Sequence, residues 1–555
     1  MLLIVGWDGA SPNLVEPMIR KGRLPNLAAL RARGVWGRVR APWPPVTFPS
    51  WTTFMTGVNP GRHGIFDFTC RERGTYQVRF VNSTWRRAPT IWSILSGVGR
   101  RVCVLGLPAT YPPEAVNGIM LSGFDTPVTT WADDSFVYPR ERAAEIASLG
   151  GFPFADFQEF RVNSKWYARA RQRLLRGIEQ KLRVAAHFLK QEAWDCFLVL
   201  FGESDTVAHH FWHFSDPHSP FAPESADPLM GNVIEEVYQA LDEALARLMK
   251  LAPDADVLVV SDHGFGGVGL RRIHLNRWLQ EHGWLRFLAS RSCLVPAWMK
   301  PLALSVMPPR FQRILFNGYG GRWSSALETA ARFRGIDFAR SAAFSEELGY
   351  FPSLWLNVKG RDPLGVVSQS DYTRVRSEIR DALLAWRHED SGRPVVRSVW
   401  FREEVYTGPY VVDAPDLLLE VCEDEAGYAV VPASSGGRAG PVVTTIDLSS
   451  WRGGKLQGLS GAHCRNGIFA LGGPSVVTVG NAGTVDMVQF APAVLQLCGV
   501  SSTPQFFDGE TFASIVSTSS LAAASNVCGA IRSPRAYSKE EEVEISKRLE
   551  DLGYL

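Results

Sequence analysis

Four short apolar runs constrain the fold of this chain more than anything else in it: "LLIVG" at 2–6, "RVCVLGL" at 101–107, "DCFLVLFG" at 195–202 and "DVLVVSD" at 256–262. Each is rich in Val, Leu and Ile, with no alternation of apolar and polar residues, as expected of strands buried on both faces in a parallel sheet. Helix-like segments separate them, at 25–33 ("PNLAALRAR"), 90–97 ("TIWSILSG") and 231–250 ("GNVIEEVYQALDEALARLMK"). That alternation predicts an α/β fold: a doubly wound, mostly parallel sheet sandwiched by helices. A chain of 555 residues exceeds one minimal core, so either two to four domains or one large core with insertions is expected.

Two regions break the rhythm. Residues 120–191 begin loop-like and end in a long helix, "SKWYARARQRLLRGIEQKLRVAAHFLKQ". Tyr167, Leu174, Ile178, Leu182, Ala185 and Leu189 follow helical spacing, and Arg169, Arg173, Arg176, Lys181 and Arg183 are read as its solvated basic face, with an anion- or membrane-binding face as the alternative. Residues 283–400 are rich in Trp, Phe, Arg and Pro and weakly periodic, as in a cap or insertion. Core-like sequence returns at 414–421, 466–473 and 487–500. The expected organisation is a catalytic core of 1–282 and 401–510, a helical insertion at about 120–191, a cap at 283–400, and a tail of 511–555. The tail is Ser/Ala-rich over 514–534 and ends in a charged helix near 538–551.

A net charge of +2 makes no electrostatic case for nucleic acid. Eight dispersed cysteines contain no CxxC pair, so neither a cysteine-rich zinc site nor a disulfide framework is expected. The start "MLLIVGWDGASP" lacks a basic leader, and no stretch of about 18 uncharged apolar residues follows. The expectation is a soluble cytoplasmic protein without a transmembrane segment; its oligomeric state is not legible.

Chemistry gathers where the apolar runs end, since open α/β sheets bind ligands at the carboxyl ends of their strands. The runs end at Asp8, at Glu203-Ser204-Asp205 and at Asp262-His263-Gly264. One such carboxylate is usually a helix cap. Three on one sheet edge repel each other and need a counter-charge. No lysine stands beside them in sequence, so divalent cations are the simplest partners, with histidine and carboxylate as ligands. Asp205 and His209, at i and i+4, share one helix face. Asp262 and His263 are adjacent, which requires a sharp turn that Gly264 would permit.

Other histidines have plainer readings. His63, in "NPGRHGI", is expected to be a structural hydrogen-bonder, and His210 and His213, among Phe and Trp, to be packing residues. His218 completes that histidine-rich tract, His274 could face the site without binding metal, and His463, in "LSGAHCRNGIF", sits in a glycine-flanked loop before a strand and is by itself a weak candidate. Finally, "PPVTFPSWTTFMTG" at 44–57 carries five hydroxyls, Thr47, Ser50, Thr52, Thr53 and Thr56, at the start of a helix expected near Pro49.

Together these pieces resemble the alkaline phosphatase superfamily, in the branch of type I phosphodiesterases and nucleotide pyrophosphatases. The resemblance is carried in order by "GWDGASP", "LPNLAALRARG", "TFPSWTTFMTGVNPGRHGI", "ESDTVAHHFW", "VVSDHGF", "DAPDLLLE", "GAHCRNGIFALGGP" and "FDGETF" near 508. It implies an alkaline-phosphatase-like core with cap insertions and two divalent metal ions, zinc or else manganese. One ion would be held by Asp8, Thr47, Asp262 and His263, and the other by Asp205, His209 and His463. Thr47 would be the nucleophile, forming a phospho-threonine from a small-molecule phosphate ester, either a phosphodiester or a pyrophosphate.

One departure stands out: "HGIFDFTCRERGTY" lacks the asparagine with which many nucleotide pyrophosphatases contact phosphate, leaving Ser50, Asp67, Arg71 or Arg73 as substitutes. A phosphomonoesterase or phosphoryl-transferring mutase is therefore the alternative, and a non-catalytic binding protein a remote one. A sulfatase is disfavoured, because Thr47-x-Pro49-x-Trp51 offers neither the convertible Cys/Ser nor the arginine of the sulfatase pattern.

Overall fold

The computed structural model describes residues 1–126, 134–154, 157, 162–224, 230–288, 333, 335–346, 351–433, 439–449, 451, 459–501, 506–510, 522–523 and 536–552. Much of the expected cap (289–332, 334 and 347–350), parts of the 120–191 insertion and, apart from 522–523, the Ser/Ala-rich stretch 514–534 lie outside the described residues.

All four apolar runs form strands, Leu2–Trp7, Val102–Leu107, Cys196–Phe201 and Asp256–Val260, and all are fully buried. They lie in a nine-stranded sheet whose order is Gly480–Asp486, Val35–Arg40, Asn466–Gly472, Asp256–Val260, Leu2–Trp7, Cys196–Phe201, Val102–Leu107, Gly118–Ser122 and Val137–Tyr138. Only Asn466–Gly472 and Val137–Tyr138 run against the rest.

Side chains alternate across the sheet plane and feed two cores. Leu3, Val5 and Trp7 pack with Leu174, Ile178 and Leu182 of the helix Ser164–Gln191 and with Val237, Leu241 and Leu245 of Val233–Leu251. Leu2 and Ile4 face the other way, against Trp51 and Phe54 of the helix Thr47–Thr56, Ile91 and Leu95 of Ile91–Gly97, and Phe490 and Val494 of Phe490–Leu497. Burying each such side chain is worth about 1.5–3 kcal/mol, so both sheet faces need their helices.

Two smaller sheets flank the main one. The strand Gly264–Ile273 pairs with Gly461–Cys464, Val443–Thr445 and Ala429–Pro432. Further out, Ala343–Phe344, Ser353–Leu356, Leu417–Val421 and Val396–Phe401 form a four-stranded sheet, joined by the helix Tyr372–Ala385 in a core of its own around Leu354, Ile379 and Leu419. The stretch 414–421, read from sequence as returning core, contributes its strand here and not to the main sheet. An apolar strand reads alike whichever sheet receives it.

This outer sheet is pinned by a buried carboxylate. Asp416 accepts from both terminal nitrogens of Arg361 at 2.8 Å, from Tyr372 Oη at 2.7 Å and from the Leu356 amide at 2.7 Å. Arg402 approaches to 3.2 Å. Burial alone would raise the Asp416 carboxyl, but its bonds to Arg361 hold it below the ordinary range.

The charged helix expected near 538–551 is Lys539–Leu552. Tyr537, Ile545 and Leu549 dock it onto a cluster containing Tyr111, Phe124 and Phe48. Beneath it Asp125 is fully buried, and burial lifts its carboxyl to about 7 despite a 2.9 Å bond from the Tyr111 amide.

Candidate active site

Topology brings the three expected carboxylates together. The strand Leu2–Trp7 has Cys196–Phe201 on one side and Asp256–Val260 on the other, all parallel, so their carboxyl ends are neighbours. Asp8 follows its strand directly, Asp262 comes two residues after Val260, and Asp205 stands in the first turn of the helix Glu203–Ser215. All three are at most 2% exposed. Gly9, at φ +64°, turns the chain after Asp8 and donates its N–H to Asp262 Oδ1 at 3.2 Å. Ser204 Oγ ties the helix start to the Asp8 carbonyl at 2.6 Å.

Three histidines converge on these carboxylates. His263 Nε2 lies 3.5 Å from Asp8 Oδ1, 3.4 Å from Asp262 Oδ2 and 3.9 Å from Asp205 Oδ1. His209 and His463 reach Asp205 Oδ1 at 3.6 and 3.3 Å. His463 is on a strand, not in the loop expected for it: Gly461–Cys464 runs antiparallel to Gly264–Ile273 with His463 opposite Phe265, two residues beyond His263. Gly264 also serves differently than expected. It is not among the glycines with positive φ; a Cβ there would lie 2.0 Å from the Asn466 carbonyl oxygen, so close packing excludes a side chain.

Each imidazole is oriented by a backbone carbonyl. Nδ1 of His209, His263 and His463 meets the oxygens of Gly461, Gly264 and Pro45 at 3.0, 3.1 and 3.2 Å. A carbonyl only accepts, so each Nδ1 carries the proton and each neutral ring turns the Nε2 lone pair inward. The Nε2 atoms of His209 and His463 then face each other at 3.1 Å, which is stable only near positive charge.

Thr47 stands at the edge of this group, with Oγ1 3.3 Å from His263 Nε2. Its helix opens at Thr47, two residues before Pro49, so Thr47 is the first helical residue. Pro49 has no N–H and the Ser50 amide already bonds the Val46 carbonyl, which leaves Phe48 in the first turn with its amide ahead of the helix ladder. One turn on, Trp51 Nε1 donates to Asp8 Oδ2 at 3.0 Å.

Electrostatically the site is unbalanced. Burial, then neighbouring carboxylates, pushes Asp8 and Asp262 well above the ordinary carboxylate range. Burial pulls His209 and His263 well below the usual imidazole range and His463 to about 3. Asp8 Oδ1 and Asp262 Oδ2 are buried without a hydrogen-bond donor. Two trios, Asp8–Asp262–His263 and Asp205–His263–His463, each bring ligand atoms within 4.8 Å of one another. Inward lone pairs, uncapped carboxylate oxygens and a nitrogen/oxygen donor set fit divalent cations.

The remaining candidates fall elsewhere. His63 takes the Ile65 amide on Nδ1 and bonds Thr53 Oγ1, the structural part expected of it. The ring of His210 packs on Phe157 and Trp166, and that of His213 on Tyr167 and Trp451. His218 is exposed, and His274 bonds Thr444 on a strand of the flanking sheet. Arg71 pairs with Asp362 in a buried setting, and Arg73, largely exposed, pairs with Asp413. Asp67 is half-buried and accepts from the Phe68 amide, whereas the Ser50 hydroxyl, one turn beyond Thr47, is buried without a partner.

Lys181 corrects the sequence reading most sharply. Expected on a solvated face, it is 2% exposed and pairs with Glu203, two residues before Asp205. Its spacing already placed it beside Ile178 and Leu182, inside the buried arc. Trp51, at i+4 from Thr47, was legible in the same way.

The profile of the family described as type I phosphodiesterase / nucleotide pyrophosphatase matches residues 2–445. The chain belongs to that family. It is accordingly a hydrolase of phosphoric esters, as its motif order implied. The family match stops short of His463, so the strand pairing at Gly461–Cys464 carries that residue's place beside the others. Among solved structures, phosphonoacetate hydrolase from Sinorhizobium meliloti 1021 in complex with phosphonoformate superposes with a TM-score of 0.51 at 16% identity, covering 90% of this chain and 95% of that one. The murine ectonucleotide pyrophosphatase / phosphodiesterase 5 gives 0.47 at 13% identity, covering 92% and 97%. At its identity the first likeness speaks to the fold alone, which is the alkaline-phosphatase-like α/β core expected of this family. A search of curated proteins returns no match. Among the described residues no helix is long and apolar enough to cross a membrane.

Proposed function

We propose that this member of the family cleaves a phosphodiester or pyrophosphate bond of a small molecule through a phospho-Thr47 intermediate. One observation carries the reading: Asp8, Asp205, Asp262, His209, His263 and His463 converge, Asp8 Oδ1 and Asp262 Oδ2 lack a donor, the histidine Nε2 atoms turn inward, and Thr47 Oγ1 stands 3.3 Å from that of His263. Two divalent ions, zinc or manganese, held one by Asp8, Thr47, Asp262 and His263 and the other by Asp205, His209 and His463, would supply Lewis acidity at the Thr47 oxygen and at the ester oxygens.

The chain's own residues supply the rest. Thr47 Oγ1 forms a bond to phosphorus as the ester oxygen leaves, and water later breaks that bond and restores the hydroxyl. The helix start holds Thr47 in place and offers the Phe48 amide to a phosphate oxygen. Trp51 fixes Asp8, and the three carbonyls hold the histidine rings, so little must reorganise during reaction. All six described cysteines are free thiols, which supports a cytoplasmic setting.

A second reading, phosphomonoester cleavage or phosphoryl transfer, draws on the missing asparagine after "HGI". One panel separates the two: bis-p-nitrophenyl phosphate, p-nitrophenyl phosphate and a nucleotide diester, assayed with zinc and with manganese, before and after chelation. Preference for the diesters supports the first reading; preference for the monoester supports the second. Thr47→Ala is expected to abolish turnover while the protein still melts cooperatively. Near-wild-type activity of that variant in metal-replete buffer would sink the phospho-threonine step, and full activity after exhaustive chelation would sink the metal reading.

A further inference from the structure

A buried ion pair lies against the metal-ligand cluster and has no part in the chemistry above. Lys181 Nζ is 3.0 and 3.1 Å from the two carboxylate oxygens of Glu203, and both side chains are 3% exposed. Lys181 comes from the long helix Ser164–Gln191; Glu203 opens the helix that carries Asp205 and His209. The pair shares one cavity wall with Asp8, Asp205, Thr206 and Phe154, and among the described residues lining that cavity Lys181 is the one cation.

Such a pair is an expensive choice. Its desolvation is repaid only in part by its own attraction, and an apolar pair of similar volume would often be at least as stable. Helix geometry is given up for it too. Gly177, within a 28-residue helix, stands one turn before Lys181, and a Cβ there would lie 2.8 Å from Glu203 Oε1. A poor helix former sits where the carboxylate must pass.

The Lys181 charge faces the carboxylates across the cavity that it lines together with Asp8 and Asp205. Nζ also lies 5.5 Å from the ring centroids of both Phe152 and Phe154, apolar walls that keep solvent from screening it.

We propose that Lys181 and Glu203 are positioning residues that set how tightly the neighbouring carboxylates hold divalent cations. Lys181 is a fixed internal cation opposing the negative charge of Asp8 and Asp205, and Glu203 both anchors it and partly cancels it. This rests on the two-metal reading. It makes a prediction that a merely structural pair does not, because the two residues act on metal affinity with opposite signs.

The test uses Lys181→Met, Glu203→Gln and the double variant in the full chain, prepared metal-free. Zinc affinity is measured by competition with a chromophoric chelator, and the melting temperature of each metal-free protein is recorded. Lys181→Met is expected to bind zinc about tenfold more tightly, Glu203→Gln about tenfold more weakly, and the double variant within about twofold of wild type. Both single variants are expected to melt lower than wild type. Zinc affinity that is unchanged, or moves the same way in both single variants, overturns the proposal. If Lys181→Met does not fold, Glu203→Gln decides alone, and unchanged or tighter binding overturns it. A wild-type protein that binds neither zinc nor manganese removes the two-metal reading itself, an outcome distinct from a metal-binding protein whose variants fail to diverge.

Discussion

Asp262 at the sheet edge and Asp416 in the outer sheet are both fully buried aspartates, yet they live in opposite surroundings. Asp416 has two arginines, a tyrosine hydroxyl and an amide around it, and its carboxyl sits below the ordinary range. Asp262 has one amide on Oδ1, no hydrogen-bond donor on Oδ2, and carboxylates for neighbours; burial, then Asp8, pushes its carboxyl well up. Burial therefore does not separate an acid that the protein has closed from one that it leaves open. What separates them is whether the protein itself has filled the oxygen lone pairs. Asp416 is closed by protein donors, whereas Asp262 is left open for something from outside.

Substitution should split the two. Asp262→Asn is expected to lower kcat/KM by on the order of a thousandfold or more, while the metal-free protein melts no lower than wild type, since the amide relieves carboxylate repulsion. Activity within tenfold of wild type would erase the contrast. Asp416→Asn should do the reverse. It leaves Arg361 and Arg402 short of their partner at a cost of about 3–5 kcal/mol in unfolding free energy, with turnover per folded molecule nearly unchanged. Denaturant titration beside active-site counting checks this.

Asp125 sharpens the comparison as an intermediate case, with one amide bond and a carboxyl near 7. Unfolded, it titrates near 4. Between about pH 4 and 7 the folded chain keeps a proton that the unfolded chain has lost, so the Asp125 contribution falls as pH rises through that window and is flat above it. Asp125→Asn should remove about 2–4 kcal/mol of that decline, read as the difference in unfolding free energy between pH 4.5 and 7.5. Parallel pH profiles for the two proteins would show that the carboxyl is not held neutral.

The same distinction explains what could be read from the sequence. Strands such as "LLIVG" and "DVLVVSD" declare themselves because both faces are buried and no polar position interrupts them. Asp8, Asp205 and Asp262 follow, since strand ends are where such sheets place ligands. His463 did not follow from spacing. It reaches the site through a strand pairing some 200 residues from His263, and only the family resemblance pointed to it. Arg71 and Arg73 looked available because the acids that occupy them, Asp362 and Asp413, lie far along the chain. Lys181 was misplaced although its helical position was readable, because a charged residue in a buried arc is assigned to solvent unless its partner is known. The strand at 414–421 was recognisable as a strand, but which sheet would take it was not, because register is a tertiary property.

The pairing of Phe265 with His463 also bears on how this enzyme comes into being. The segments that carry Asp8, His209 and His263 can assemble as the first half of the chain emerges during synthesis, but the strand that brings His463 is made only after the whole outer sheet. On the two-metal reading proposed above, a ribosome translating this message carries an incomplete centre through most of its work, and the hydrolase becomes competent only once that late strand has docked.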